Sequence, residues 1–130
     1  MNKAIKCNTL NLKIYVEDTD FQGVVYHANY IKFFERARSE FLATNNISQD
    51  MLRKNNLAFV IKSINIKYLA AAELGDEIEV NSIVQKKSDA RMIFNQKILN
   101  SKTLSRPLNP RKIVTIKIIN PKIFWNLEFT

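Results

Sequence analysis

Residues 29–43 carry the pattern that most narrows the folds open to this chain. Tyr30, Phe34, Ala37 and Phe41 recur at i, i+4, i+7 and i+11 with Phe33 beside them, while Lys32, Glu35, Arg36 and Glu40 fill the remaining positions. That spacing predicts an amphipathic helix of some four turns, ended by Thr44-Asn45-Asn46. A helix with one apolar stripe needs a second layer to cover it. The rest of the chain offers mainly strands.

Leu10, Leu12, Ile14 and Val16 alternate with Asn11, Lys13, Tyr15 and Glu17, which predicts a strand over 10–17 with one buried face. Asp18-Thr19-Asp20-Phe21-Gln22-Gly23 breaks the alternation and reads as a loop. A short second helix is expected over 48–54, with Ser48 as its N-cap. Then come a strand over 59–68, a turn at Gly75-Asp76 and a strand over 77–84 with Ile78 and Val80 inward. A polar hairpin loop at Lys87-Ser88-Asp89, a strand over 91–99, a loop over 106–110 and a last strand over 113–119 complete the reading. The order is strand, long helix, four strands. This is an α+β fold, an antiparallel sheet against one dominant helix.

The 130 residues make one domain over 1–130. With 46% hydrophobic and 25% charged residues the balance is that of a globular protein, not a disordered chain. No apolar run reaches the roughly 18 residues that span a bilayer. The start of the chain has no apolar run behind its lysines, so no secretory signal is expected and the cytoplasm is the expected compartment. One cysteine, Cys7, and one histidine, His27, exclude an internal disulfide and any Cys-rich or His-rich metal cluster.

Net charge is +8, and residues 100–130 hold six basic groups against one acidic, making 101–130 an atypical basic segment. Such a surplus attracts polyanions. It lacks the interleaved aromatics of a single-strand binder and any helix-turn-helix or RNP-type signature, so nucleic acid is not an expected partner.

The chemistry gathers between the first strand and the long helix. Glu17, Asp18 and Asp20 cluster at the strand's end, Gly23 follows, and His27 stands just before the helix. A helix start presents unpaired N–H groups and the positive end of the macrodipole. One strand-loop-helix unit can therefore supply both a carboxylate and donors for a developing oxyanion, as acyl transfer requires. Asp-x-Asp in a loop serves equally as turn chemistry or a helix cap. No Gly-x-Ser-x-Gly elbow is present.

The run Tyr15-Val16-Glu17-Asp18-Thr19-Asp20, then Gly23-Val24-Val25-Tyr26-His27-Ala28-Asn29-Tyr30 and Phe33-Phe34-Glu35-Arg36-Ala37-Arg38, closely resembles the YbgC-like branch of the 4-hydroxybenzoyl-CoA thioesterase family. The similarity continues through Phe59-Val60-Ile61-Lys62-Ser63-Ile64-Asn65-Ile66-Lys67-Tyr68-Leu69 and Leu74-Gly75-Asp76-Glu77-Ile78-Glu79-Val80, covering residues 10–100. The resemblance implies a hotdog fold, an antiparallel sheet wrapped around one long central helix. It also implies hydrolysis of acyl-CoA thioesters to free acid and CoA without metal or cofactor. Matched position by position, the family's catalytic carboxylate falls on Asp20, as nucleophile or as general base toward water. Gly23 would let the backbone pass close to the acyl group. Amides near Tyr26 and His27 would hold the carbonyl oxygen, and the His27 side chain would position the thioester or the water. Tyr26 and Asn29 would shape and brace the pocket.

Substrate is bound between subunits in this family, implying a homodimer or homotetramer, with the partner strand near Ile61, Lys62 and Ser63 lining the acyl pocket. Phe21, Phe59 and Val60 are the candidate pocket walls, and Lys86, Lys87 and Arg91 the candidate CoA-phosphate contacts. Glu35 and Arg38 read as a structural i,i+3 pair. The resemblance also brings acyl carrier protein and the Tol-Pal envelope system into view as partners. The alternative reading is a non-catalytic hotdog module that binds acyl-CoA, acyl carrier protein or an envelope-associated partner. The last 30 residues depart from the family: 101–111 is basic and Pro-containing, and Ile123-Phe124-Trp125-Asn126-Leu127-Glu128-Phe129 is apolar and aromatic.

Overall fold

A computed structural model describes residues 3–46, 49–54, 57–88, 91–102 and 111–124. The expected N-cap Ser48, Asp89 of the hairpin loop, the loop over 106–110 and the stretch 125–129 lie outside the described residues.

The expected helix is present as α1, Asn29–Thr44, with Tyr30, Phe33, Phe34 and Ala37 of its stripe buried; Phe41 is half-buried, and Leu42, outside the expected stripe, is buried. Strands β1 (Lys3–Lys6) and β2 (Leu10–Lys13) precede it. A short helix α2 (Gln49–Lys54) follows, then β3 (Leu57–Phe59), β4 (Ser63–Tyr68), β5 (Glu77–Ser88), β6 (Arg91–Lys102) and β7 (Arg111–Phe124). All pairings are antiparallel, in the order β1-β5-β6-β7-β3, with β2 also on β5 and β4 also on β7.

The long central strands alternate as a one-sided sheet must. Ile78, Val80, Ser82 and Val84 of β5, Phe94, Gln96, Ile98 and Asn100 of β6, and Val114 and Ile116 of β7 are buried. They meet α1 in one core, in which Phe34 is fully buried and the Phe41 ring stands edge-on to Phe94 at 6.0 Å. Register shifts between Glu77 and Ile78, Lys86 and Ser88, and Ile98 and Leu99 add local bend and twist, which lets the sheet curve around the helix. Lys6, Lys67, Lys97 and Lys117 line a cavity of about 520 Å³ together with Asn81, Ile83 and Asn95.

Several expectations need correction. The first strand ends at Lys13, and Val16 is 72% exposed at the start of a 3-10 turn over Val16–Asp18. Its cause is local: Asp18 Oδ2 accepts the Tyr15 N–H at 2.9 Å, giving the backbone an alternative to the ladder. The stretch 59–68 is two strands, β3 and β4, with Val60–Lys62 between them. β5, β6 and β7 outrun their predicted ends, so Lys87 and Ser88 sit in a strand, not a loop. β1 was not expected at all. Part of the divergent terminus is also ordered as strand, with Ile123 opposite Ala58 and Phe124 opposite Leu57.

Candidate active site

The acid loop begins where β2 stops. Ile14 still pairs, its N–H donating to Asp76 O at 2.9 Å and its carbonyl accepting from Gly75 N at 3.0 Å. The 3-10 turn then redirects the chain, with Thr19 N and Thr19 Oγ1 both donating to Val16 O. A four-residue turn follows from Asp20 to Gly23, closed by Gly23 N–H to Asp20 O at 3.0 Å. Asp at its first position and Gly at its fourth are the residues such turns favour. Asp20 Oδ1 accepts the Gln22 N–H at 2.8 Å, which orients the carboxyl group. Among the described residues, Oδ2 of Asp20 has no hydrogen-bond partner. Gly23 takes φ +81°, a region side-chain-bearing residues rarely adopt.

The return arm is clamped on both sides. Asp20 N donates to Val24 O at 2.9 Å, and Thr19 bridges Val25. On the other side Val24 bridges Glu73, Val25 N donates to Ala72 O at 2.8 Å, and Leu74 N to Gly23 O at 3.1 Å. The chain then reaches α1. Tyr26 N–H donates to Asp18 O at 3.0 Å, and Asn29 Nδ2 to the same carbonyl at 2.8 Å. Among the described residues, the helix start carries no side-chain cap bond. Of the two amides expected to face an oxyanion, Tyr26's is therefore committed to Asp18. Among the described residues, the His27 and Ala28 amides have no acceptor.

The aspartates thus divide. Asp18 is spent on turn and helix-entry geometry, and Asp20 keeps one oxygen free among the described residues. Asp20 is half-buried, and His27 is exposed, its ring 4.6 Å from that of Tyr26. Tyr68, not singled out from the sequence, stands edge-on to His27 at 6.3 Å and donates its hydroxyl to His27 O at 3.3 Å. Only its place in an alternating strand marked it, and that pattern does not distinguish a wall from a site residue.

The remaining candidates lie elsewhere within the single chain. Phe59 helps line a cavity of about 350 Å³ together with Glu35, Arg38, Leu42, Ile61, Met92 and Phe94. Asp20, Gly23, Tyr26 and His27 do not line it. Val60 is half-buried, Ser63 is exposed at the start of β4, and Phe21 is 98% exposed at the tip of the acid loop. Lys86, Lys87 and Arg91 are exposed near the ends of β5 and β6. Arg38 is only 4% exposed. It pairs with Glu35 one turn back through Nε at 3.0 Å and also through Nη2, and its Nη1 donates to Gln96 Oε1 at 2.9 Å.

Comparison with known proteins places the chain in a family. Residues 14–110 match the model of the thioesterase-like superfamily. The acyl-CoA thioesterase YbgC of Haemophilus influenzae is 44% identical over 91 residues, covering 69% of this chain and 67% of that protein. Its Helicobacter pylori namesake is 34% identical over 110 residues, covering 84% and 80%. The crystal structure of a probable thioesterase from Bartonella henselae superposes with a TM-score of 0.78 at 30% identity, covering 90% of this chain and 91% of that one. With an antiparallel sheet wrapped on one helix and a match spanning the acid loop, the helix and the central strands, the chain belongs to the thioesterase-like superfamily and has its hotdog fold.

Proposed function

We propose that this protein hydrolyses acyl-CoA thioesters to free acid and CoA, with Asp20 as nucleophile or general base. The observation that carries the reading is one short connection holding an Asp20 oxygen and the His27 and Ala28 amides, all unpartnered among the described residues, in a chain whose relatives bear thioesterase names. As base, Asp20 takes a proton from water. The hydroxide adds to the carbonyl carbon, the oxyanion rests on the helix-entry amides, and the C–S bond breaks with the thiolate taking the proton. As nucleophile, Asp20 adds to the carbonyl carbon and the C–S bond breaks to expel the CoA thiolate; water then hydrolyses the mixed anhydride, which frees the acid, restores the Asp20 carboxylate and supplies the proton that the thiolate takes. The thioester is activated enough that one carboxylate and fixed donors suffice.

His27 positions the thioester or the water, while Tyr26 and Asn29 shape the approach. The acyl group runs toward Phe59 and Val60, and a second copy brings Ile61, Lys62 and Ser63 over it. Exposed Phe21, Ile61, Ile64, Tyr68 and Leu69 support assembly into a homodimer or homotetramer, because an apolar surface of that kind is normally covered. Lys86, Lys87 and Arg91 meet the CoA phosphates.

The test is a hydrolysis panel of short, long and aromatic acyl-CoAs, with an acyl carrier protein thioester as a further arm, on wild type and Asp20→Asn. The expected outcome is a loss of about 10²–10⁴ in kcat/KM with the fold kept. Wild-type turnover in Asp20→Asn overturns the role of Asp20. Binding without hydrolysis by the wild-type protein across the panel leaves the non-catalytic module in its place.

A further inference from the structure

We propose that Asp76 is a positioning residue for the Asp20 loop, transmitting the rigidity of the central sheet to the carboxylate through the 73–76 turn. The proposal rests on the thioesterase reading for its catalytic consequence, and on geometry alone for the coupling itself.

Asp76 is 4% exposed. One of its oxygens, Oδ2, accepts two hydrogen bonds, from Glu73 N at 2.8 Å and from Asn100 Nδ2 at 2.9 Å. Its own N–H returns to Glu73 O at 3.0 Å, so the turn is closed twice, once by backbone and once by side chain. Gly75 allows this closure by taking φ +87°. Asn100 belongs to β6, held between β5 and β7, and is therefore a fixed anchor. Its Oδ1 is buried with no partner among the described residues, so its other end is aimed at Asp76 while a buried acceptor goes unmet.

The turn so held is the strip that clamps the acid loop. Ala72, Glu73 and Leu74 hold Gly23–Val25 through their backbone: Val25 N to Ala72 O, the Glu73 bridge to Val24, and Leu74 N to Gly23 O. Val24 in turn accepts the Asp20 N–H. The path runs from the sheet through Asn100, Asp76, Glu73 and Val24 to Asp20, each step a hydrogen bond or a backbone bridge. A loosened turn displaces a carboxylate that must sit within tenths of an ångström of its working position.

The experiment reads two quantities in Asp76→Ala, Asn100→Ala and Asp76→Asn, with Ser82→Ala as a buried polar control on the same sheet. The first is amide hydrogen exchange of the 20–25 segment. The second is kcat and KM for an acyl-CoA that the wild type turns over. Asp76→Ala is expected to speed exchange in 20–25 by about tenfold or more and to lower kcat by about 10–10²-fold with KM little changed. Asn100→Ala follows in weaker form. Asp76→Asn, which keeps one acceptor oxygen for both donors, recovers most of both quantities, and Ser82→Ala moves neither. Should Asp76→Ala fail to fold, Asn100→Ala carries the test. Unchanged exchange in 20–25 overturns the coupling. Faster exchange with wild-type kcat, or a change confined to KM, overturns the catalytic consequence. If the wild type hydrolyses nothing, the thioesterase reading fails, while the exchange arm still decides the coupling.

Discussion

Asn29 Nδ2 donates to the Asp18 carbonyl at 2.8 Å, so the first residue of the long helix is tied across eleven positions to the turn that precedes the acid. The same carbonyl accepts the Tyr26 N–H at 3.0 Å. Removing the side chain leaves the backbone bond alone to set the angle between loop and helix. Asn29→Ala is expected to cost about 0.5–1.5 kcal/mol of stability, the worth of one hydrogen bond. It should lower kcat more than it raises KM. Asn29→Asp, which turns a carboxylate oxygen toward a carbonyl oxygen, should cost more than Asn29→Ala. Chemical denaturation and steady-state kinetics check the order; an Asn29→Asp protein as stable as wild type would contradict it.

Gly23 presents a separable question, because a Cβ there meets nothing within 4 Å among the described residues, yet φ is +81°. The constraint is backbone conformation, not space. Gly23→Ala should therefore destabilise by about 1–2 kcal/mol, and Gly23→Asn by less, since asparagine tolerates the left-handed region. Denaturant midpoints of the three proteins test this. An alanine variant matching wild type would remove the conformational argument.

How much of this was visible in the sequence follows from which forces leave a periodic trace. The long helix did, because Tyr30, Phe34, Ala37 and Phe41 must share a stripe. Val16 misled because alternation continued one residue pair past the point where the Asp18 side chain captures the Tyr15 amide. Ser82, Gln96 and Asn100 were illegible as core residues: they are polar, and only their partners across the sheet make inward positions tolerable. The strand ends at Ser88 and Lys102 were missed because ladder hydrogen bonds ignore side-chain polarity. At the candidate site, the Asp-x-x-Gly turn and His27 could be read directly. Tyr68 and Asp76 could not, since their roles come from neighbours more than 20 residues away in sequence.

Gln96 is the hinge of a buried polar chain. Its Oε1 accepts from Arg38 Nη1 at 2.9 Å, while its Nε2 donates to Ser82 Oγ at 2.9 Å and Phe34 O at 3.1 Å. Gln96→Leu fills the volume but strands a guanidinium N–H beneath the sheet. The expected cost is about 1–3 kcal/mol. Adding Arg38→Met should return much of it, because an apolar pair in place of a satisfied polar one is often near neutral. Thermal unfolding of the single and double variants distinguishes this from simple additivity: a double variant weaker than both singles would refute the shared network.

Alkaline pH should expose two buried acids. Burial raises the Tyr30 phenol above its ordinary 10.0; the Ala72 N–H donated to its oxygen pulls the other way, and Tyr68 and Asp76 add to the rise. Burial likewise lifts the Cys7 thiol above 9.0. Once the pH passes those ordinary values, the unfolded chain releases these protons while the folded chain still holds them. The folded state then binds more protons, so stability falls with rising pH until the folded groups titrate as well. The contribution is complete below the unfolded values and is lost as pH climbs through the folded ones. Denaturant unfolding from about pH 8 to about pH 11 should show this decline, starting with Cys7 and steepening with Tyr30. Cys7→Ala should flatten its early part and Tyr30→Phe its later part. Tyr30→Phe should also cost about 1–3 kcal/mol at neutral pH, because the buried Ala72 N–H loses its acceptor. An alkaline limb identical in wild type and Tyr30→Phe would show that this phenol does not govern it.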